Sequence, residues 1–308
     1  MELAMITAQQ VLSLFILILV GAVCCRIGIV RAEGRKMLSN LLVYLVIPSM
    51  VLDSYMTGND GSSLGNLLQT FGLSTVVMIL GLVITFLATI RQHHSDIPVI
   101  RFGCAFSNAG YMGFPLIRAL FGEEGLLYAS AFFTIYNLLM WSVGVVIVSG
   151  KFKWKEVARS IYTCPGILAV CLGLLIYLAG IPVPEVIKTP VNMIGNMNTP
   201  ISMMITGSSI AASNLRELFK NRRLLQVIML RMAVIPLAGA GLFGLMGLRG
   251  LVPMIVLILQ ACPCATITTT FAIQYGHDES LAAGSVVFTT ILSMVCLPLY
   301  TFLLTCVL

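Results

Sequence analysis

Ser107-Asn108-Ala109-Gly110-Tyr111-Met112-Gly113-Phe114-Pro115 places an amide, a hydroxyl, two glycines and a proline within nine residues of otherwise apolar sequence. A proline inside a helix removes one backbone hydrogen bond and clashes with the preceding turn. In an apolar medium the freed backbone groups must find partners in the protein or in a water-filled cavity. This composition predicts a helix broken near Pro115. A second segment, Gln260-Ala261-Cys262-Pro263-Cys264-Ala265-Thr266, runs on into Ile267 and three threonines and predicts a break near Pro263. The chemistry that two such breaks offer is binding. Interrupted helices aim their positive N-terminal ends at the break, and the orphan N–H groups there can hold a carboxylate without any full positive charge. Asn108 is expected to donate to that anion. Asn137, in the pair Tyr136-Asn137, is expected to do so less strongly and reads equally well as a link between helices. The substrate-binding candidates are therefore Asn108, Tyr111, Pro115, Asn137, Pro263, Cys264, Thr266 and Pro48.

Other polar residues in apolar stretches leave two readings each. Asp53, five positions past Pro48, is either a proton-coupling carboxylate or a group that reaches outer water. Arg231 either pairs with a carboxylate or an anion, or finds a structural partner or snorkels to the interface. Asn192, Asn196 and Asn198, just before Pro200, either face a cavity or open a helix at the outer surface. The nine cysteines all lie in apolar stretches, and Cys262-Pro263-Cys264 is too tight for a zinc pair, so they read as packing residues. His93, His94 and His277 fall in loops. No metal and no cofactor is expected. There is no HExxH, GxSxG or Walker loop and no pair of intramembrane aspartates, so an enzyme, an ATPase or an intramembrane protease is not expected.

These residues need elements to hold them. Of 308 residues, 58% are hydrophobic and only 10% charged, against about a quarter charged in a soluble domain. So little charge cannot make a water-facing surface, and the solvent for most of the chain must be lipid. Ten spans are expected, at 7–25, 37–57, 66–90, 98–120, 125–149, 161–180, 187–212, 224–247, 251–275 and 280–307. The first apolar stretch lacks a positive flank and a small-residue cleavage site, so it reads as a span and not as a signal peptide. Fourteen of the 18 basic residues fall in alternate loops, among them Arg31, Arg35, Lys36, Arg91, Lys151, Lys155 and Arg223. The positive-inside rule places those loops in the cytoplasm and both termini outside, in a cytoplasmic (inner) membrane. The net charge of +6 thus reflects topology and not a nucleic-acid partner. Pro48 and Pro200 lie 152 positions apart, and Pro115 and Pro263 lie 148 apart. That near-constant offset points to two five-span repeats, 1–152 and 153–308, inverted because each holds an odd number of spans.

With those residues in view, the chain resembles the auxin efflux carrier family, which includes plant PIN carriers and bacterial malate/malonate-type permeases. The likeness rests on Asn108 through Gly113 and Pro115, similar to the family's Asn-x-x-x-x-Gly-x-Pro crossing motif. It rests also on Cys262-Pro263 followed by Phe271-Ala272 and Tyr275, on Ile47-Pro48 and on Asn137. It covers the whole chain, although the central loop here is very short. The resemblance implies an all-α membrane protein of two inverted five-helix repeats, with spans one, two, six and seven as scaffold and broken fourth and ninth spans crossing near the midplane. It implies a carrier of organic anions that moves as an elevator and forms a homodimer. Two departures, Gly110-Tyr111 in place of an aliphatic pair and Cys264 in place of an amide, argue against auxin itself as substrate.

The expected function is therefore secondary transport of a small organic anion. A sodium-coupled symporter of the bile-acid type is the alternative with the same fold. It would need carboxylates around the crossing, and the sequence supplies none there. A signalling or scaffold protein would have no evident use for two paired broken helices.

Overall fold

The computed structural model describes residues 2–57, 64–151, 154–212 and 222–307. Among these residues every regular element is a helix, and the only extended pairing is an isolated antiparallel bridge between Ser107 and Cys264. Of the basic loop residues, Lys153, Arg216 and Lys220 lie outside the described part. Six described helices are long and apolar enough to cross a membrane: Met5–Arg26, Ala32–Met56, Leu64–Thr89, Ala109–Ser149, Arg223–Leu245 and Glu279–Cys306. Two shorter apolar helices are Pro165–Leu178 and Leu251–Ala261. Leu12, Ile16, Leu19 and Val23 on the first helix, and Leu168, Leu172 and Leu175 on Pro165–Leu178, are exposed. Stripes of bare aliphatic side chains on apolar helices mark a surface whose solvent is lipid. This is a multi-pass membrane protein.

The helices depart from the expected segments at definite residues. The stretches 98–120 and 125–149 do not part at a loop. The helix Phe114–Leu139 passes through a single kink at Gly122 (φ 61°, ψ −150°), a conformation that glycine adopts freely. The stretch 161–180 takes in the end of one helix and the whole of the next. Trp154–Tyr162 ends at Thr163, and the apolar helix begins at Pro165, where the missing N–H is no loss. The stretch 187–212 is broken at Met197 into Glu185–Asn196 and Asn198–Ala212.

Wide π-helical turns occupy Leu42–Val46, Ala109–Gly113, Met140–Gly144 and Leu230–Val234. Three of the four end two residues before a proline, namely Pro48, Pro115 and Pro236. The cause is local. A proline ring collides with the carbonyl four residues back, and one extra residue in the turn moves that carbonyl aside. Proline in this chain therefore widens a helix at these three places without breaking it.

The first helix packs closely on Asn198–Ala212 through glycine. A Cβ on Gly207 would fall 1.8 Å from the Ile18 carbonyl oxygen, and one on Gly21 would fall 2.4 Å from the Met204 carbonyl oxygen. Lipid gives helices no hydrophobic drive to associate, so close backbone approach at small residues supplies the attraction. The core gathers around the interrupted helices. Phe102 packs on Phe271 (5.2 Å between ring centroids), Phe106 on Tyr136 (5.8 Å), and Phe133 stacks on Tyr136 (5.6 Å).

Candidate functional site: a paired helix interruption beside a cavity

Helix Ile97–Ala105 stops at Phe106, whose backbone is extended (φ −105°, ψ 121°), and helical geometry resumes at Ala109. Helix Leu251–Ala261 stops at Cys262 (φ −57°, ψ 152°) and resumes at Ile267. The two extended pieces pair with each other. The Asn108 N–H donates to the Pro263 carbonyl (2.7 Å) and the Ala265 N–H to the Phe106 carbonyl (3.0 Å). The Cys264 N–H donates to Thr289 Oγ1 (3.0 Å) on the last helix. Each break thus satisfies backbone groups of the other, which is what a low-dielectric surrounding demands.

The first break corrects the sequence expectation. It lies at Phe106–Asn108, and Pro115 stands in the first turn of the following helix, behind the π turn. Pro263 lies in the second break, as expected. Two carbonyls of the π turn are met from the helix Asn198–Ala212. Asn198 Nδ2 donates to the Gly110 carbonyl (3.3 Å), and Ser202 Oγ donates to the Tyr111 carbonyl (3.0 Å).

Beside the paired breaks lies a cavity of about 850 Å³. Asn108, Gly110 and Tyr111 line it at the start of one resumed helix, and Ala265, Thr266 and Ile267 at the start of the other. The first N–H groups of a helix have no intrahelical acceptor, so both helix starts present donors and positive dipole ends to this space. Phe133, Tyr136, Met140 and Trp141 form an apolar wall. Arg35, Lys36 and Thr163 line it toward the loops, and among the described residues no Asp, Glu or His does so. Arg35 Nη1 also donates to the Ser208 carbonyl (2.9 Å).

The Asn108 side chain is 4% exposed, lines the cavity and makes no hydrogen bond to a described residue. Asn137 also lines it, but is partly engaged: its Nδ2 donates to the Phe133 carbonyl (2.8 Å), and its Oδ1 lies 3.8 Å from Cys164 Sγ. Tyr111 and Thr266 line the cavity, whereas Pro48, Pro115, Pro263 and Cys264 do not. Pro48 follows Ile47, which does line it. Cys264 is fully buried at the bridge.

Asp53 belongs to a different polar group. Asn192 Nδ2 donates to Asp53 Oδ2 (2.6 Å), and Asn196 Nδ2 donates to Asn192 Oδ1 (2.8 Å). Arg118 then reaches both Asn196 and Glu123. This chain joins three separate helices and does not touch the cavity lining. Of the three asparagines before Pro200, Asn198 serves the crossing, while Asn192 and Asn196 serve this chain. Ser202 and Thr289 were not singled out in the sequence. Each is one hydroxyl among many in apolar helices, and its role depends on a distant carbonyl or N–H that no local pattern reveals.

A family model described as membrane transport protein matches residues 6–157 and 152–301. Among curated proteins, the chain is 25% identical over 305 residues to an uncharacterised transporter of Methanothermobacter thermautotrophicus, covering 97% of this chain and 98% of the relative. It is 25% identical over 313 residues to the uncharacterised transporter MJ1031 of Methanocaldococcus jannaschii, covering 97% and 99%. It is 22% identical over 298 residues to a proposed malonate transporter of Rhizobium meliloti, covering 92% and 91%.

Proposed function

The chain belongs to the auxin efflux carrier family of membrane transport proteins, and from that premise we propose that it is a secondary transporter of a small organic anion. The observation that carries this reading is the cavity at the two helix starts. Among the described residues its only full charges are Arg35 and Lys36, and Asn108 presents an amide that bonds none of them. A carboxylate there accepts from Asn108, from Asn137 and from the orphan N–H groups, with Thr266 beside it and Tyr111 and the aromatic wall holding its carbon body. A cation would meet positive dipole ends and, among the described lining residues, no carboxylate. That observation disfavours the sodium-coupled alternative. One relative carries the name of a proposed malonate transporter, and malonate is a small organic anion of the matching chemical class.

In this reading the chain has ten crossings in two inverted repeats, 1–152 and 153–308. The basic loops face the cytoplasm, both termini lie outside, and the membrane is the cytoplasmic one. The cavity then opens inward, toward Arg35, Lys36 and Thr163. The chain Asp53–Asn192–Asn196–Arg118–Glu123 closes the opposite side, a structural use of Asp53 in place of proton coupling. The paired breaks move as one body against a scaffold knitted through Gly21 and Gly207, which is an elevator form of alternating access, and two copies associate through their scaffolds. The test is uptake into proteoliposomes of a panel of labelled carboxylates that includes malonate, with and without sodium or proton gradients. Uptake of at least one acid without sodium supports the proposal. Uptake that requires sodium supports the symporter instead, and uptake of cations alone refutes both.

A further inference from the structure

Among the described residues Arg231 is the largest fully buried side chain, at 0% exposure, and no carboxylate there pairs with it. It does not snorkel to an interface. Its Nε donates to the Cys262 carbonyl (3.0 Å), and its Nη1 donates to the carbonyls of Cys104 (2.9 Å) and Ala105 (3.5 Å). Its Nη2 donates to the Gln260 carbonyl. Cys104 and Ala105 end one interrupted helix, and Gln260 and Cys262 end the other. One guanidinium therefore joins the C-terminal ends of both half-helices, on the side of the paired breaks away from the helix starts.

The electrostatics of this arrangement balance. A helix C-terminus carries roughly half a negative charge, so two that converge present about one. One guanidinium supplies the opposite unit. Its five N–H donors in a planar fork suit several converging carbonyls better than an ammonium would. Carbonyl groups at half-helix C-termini form the kind of place that elsewhere holds a coupling cation. Here the chain fills it with its own side chain. With the negative ends neutralised, the positive ends that face the cavity stand unopposed.

We propose that Arg231 is a built-in cation that holds the two half-helices together at their C-terminal ends and stands in place of a bound ion, making it the positioning residue of the anion site. The part concerning the anion site rests on the transport reading above, whereas the clamp does not. Its test therefore uses the crossing itself. Cys262 and Cys264 are fully buried in the second break. In a variant that keeps only these two cysteines, maleimide labelling reports opening of the crossing and needs no substrate.

Arg231→Ala is expected to raise the labelling rate about tenfold or more, because truncation leaves several buried carbonyls without donors. Millimolar guanidinium is expected to restore protection in Arg231→Ala, and urea, planar but neutral, is not. Arg231→Lys should stay largely protected, while Arg231→Met, similar in length and uncharged, should label as Arg231→Ala does. Labelling can be done in native membranes, and if Arg231→Ala does not accumulate, the Lys and Met variants decide. Protection of Arg231→Met equal to that of the parent, or rescue of Arg231→Ala by urea as well as by guanidinium, overturns the proposal. A clamp that behaves as expected in a protein that takes up no carboxylate would refute the transport reading alone.

Discussion

Asn108→Ala separates binding from folding, because the structure assigns those tasks to different atoms of the residue. The backbone does the structural part. Its N–H bonds the Pro263 carbonyl at 2.7 Å, and its carbonyl accepts from the Met112 and Gly113 N–H groups at 3.0 and 3.2 Å. Alanine keeps all three. The side-chain amide lines the cavity and bonds no described residue, so its removal orphans no protein group. The side chain is buried but bonds no described residue, so the folded state should lose no more than about 1 kcal/mol. The substrate should lose a hydrogen bond to its charged group, which is worth about 1.5–3 kcal/mol, or about 10- to 150-fold in affinity. The assay is concentration-dependent uptake in proteoliposomes, with thermal unfolding of the same preparation as control. Apparent affinity should fall by that factor at an unchanged unfolding temperature. Asn137→Ala should lose less, because its amide is already shared with Phe133. Normal uptake by Asn108→Ala, or a weakened uptake that merely tracks a fall in stability, would refute the reasoning.

Other perturbations test other parts of the structure. Gly207→Ala places a methyl 1.8 Å from the Ile18 carbonyl oxygen, so it should destabilise the packed pair of helices by about 1–3 kcal/mol or more, read as a lowered unfolding temperature. Lys36→Gln removes a charge at the cavity rim and should weaken apparent affinity several-fold at low ionic strength, with the difference shrinking as salt is added. Single cysteines replacing Lys155 and Arg249, both exposed, should react differently with an impermeant maleimide applied outside intact cells. Position 249 should label and position 155 should not, and the reverse would invert the proposed topology.

The sequence disclosed the helical membrane character and the two segments that would be interrupted, because both follow from composition. It mislocated one break. Pro115 looked like the breaking residue, but a proline in a first turn behind a π turn is tolerated, and Phe106–Asn108 leaves helical geometry because it pairs with Cys262–Ala265 across the fold. That pairing joins segments more than 150 residues apart, and no local rule carries it. Pro263 was legible because the cause there is local. Arg231 shows the same limit. A lone arginine in an apolar helix announces that it needs partners, but not that they are four carbonyls from two other helices. Between the expected spans 98–120 and 125–149, Gly122 turns one helix into the next within a single residue.

The cavity wall holds no Asp, Glu or His among the described residues, so no described carboxylate or imidazole lines it to take up a proton near neutral pH as the substrate binds. An organic anion should therefore cross with its charge uncompensated. The direct measurement is the transient current across a solid-supported membrane bearing the reconstituted protein when a carboxylate is added at pH 7 without sodium, beside the same addition of its neutral amide. The expected result is a saturable current with the sign of negative charge moving in the direction of the added acid, absent with the amide and weakened in Asn108→Ala. A current of positive charge, a response to the amide equal to that of the acid, or silence with every acid tried would contradict an anion carrier built on these two helix starts.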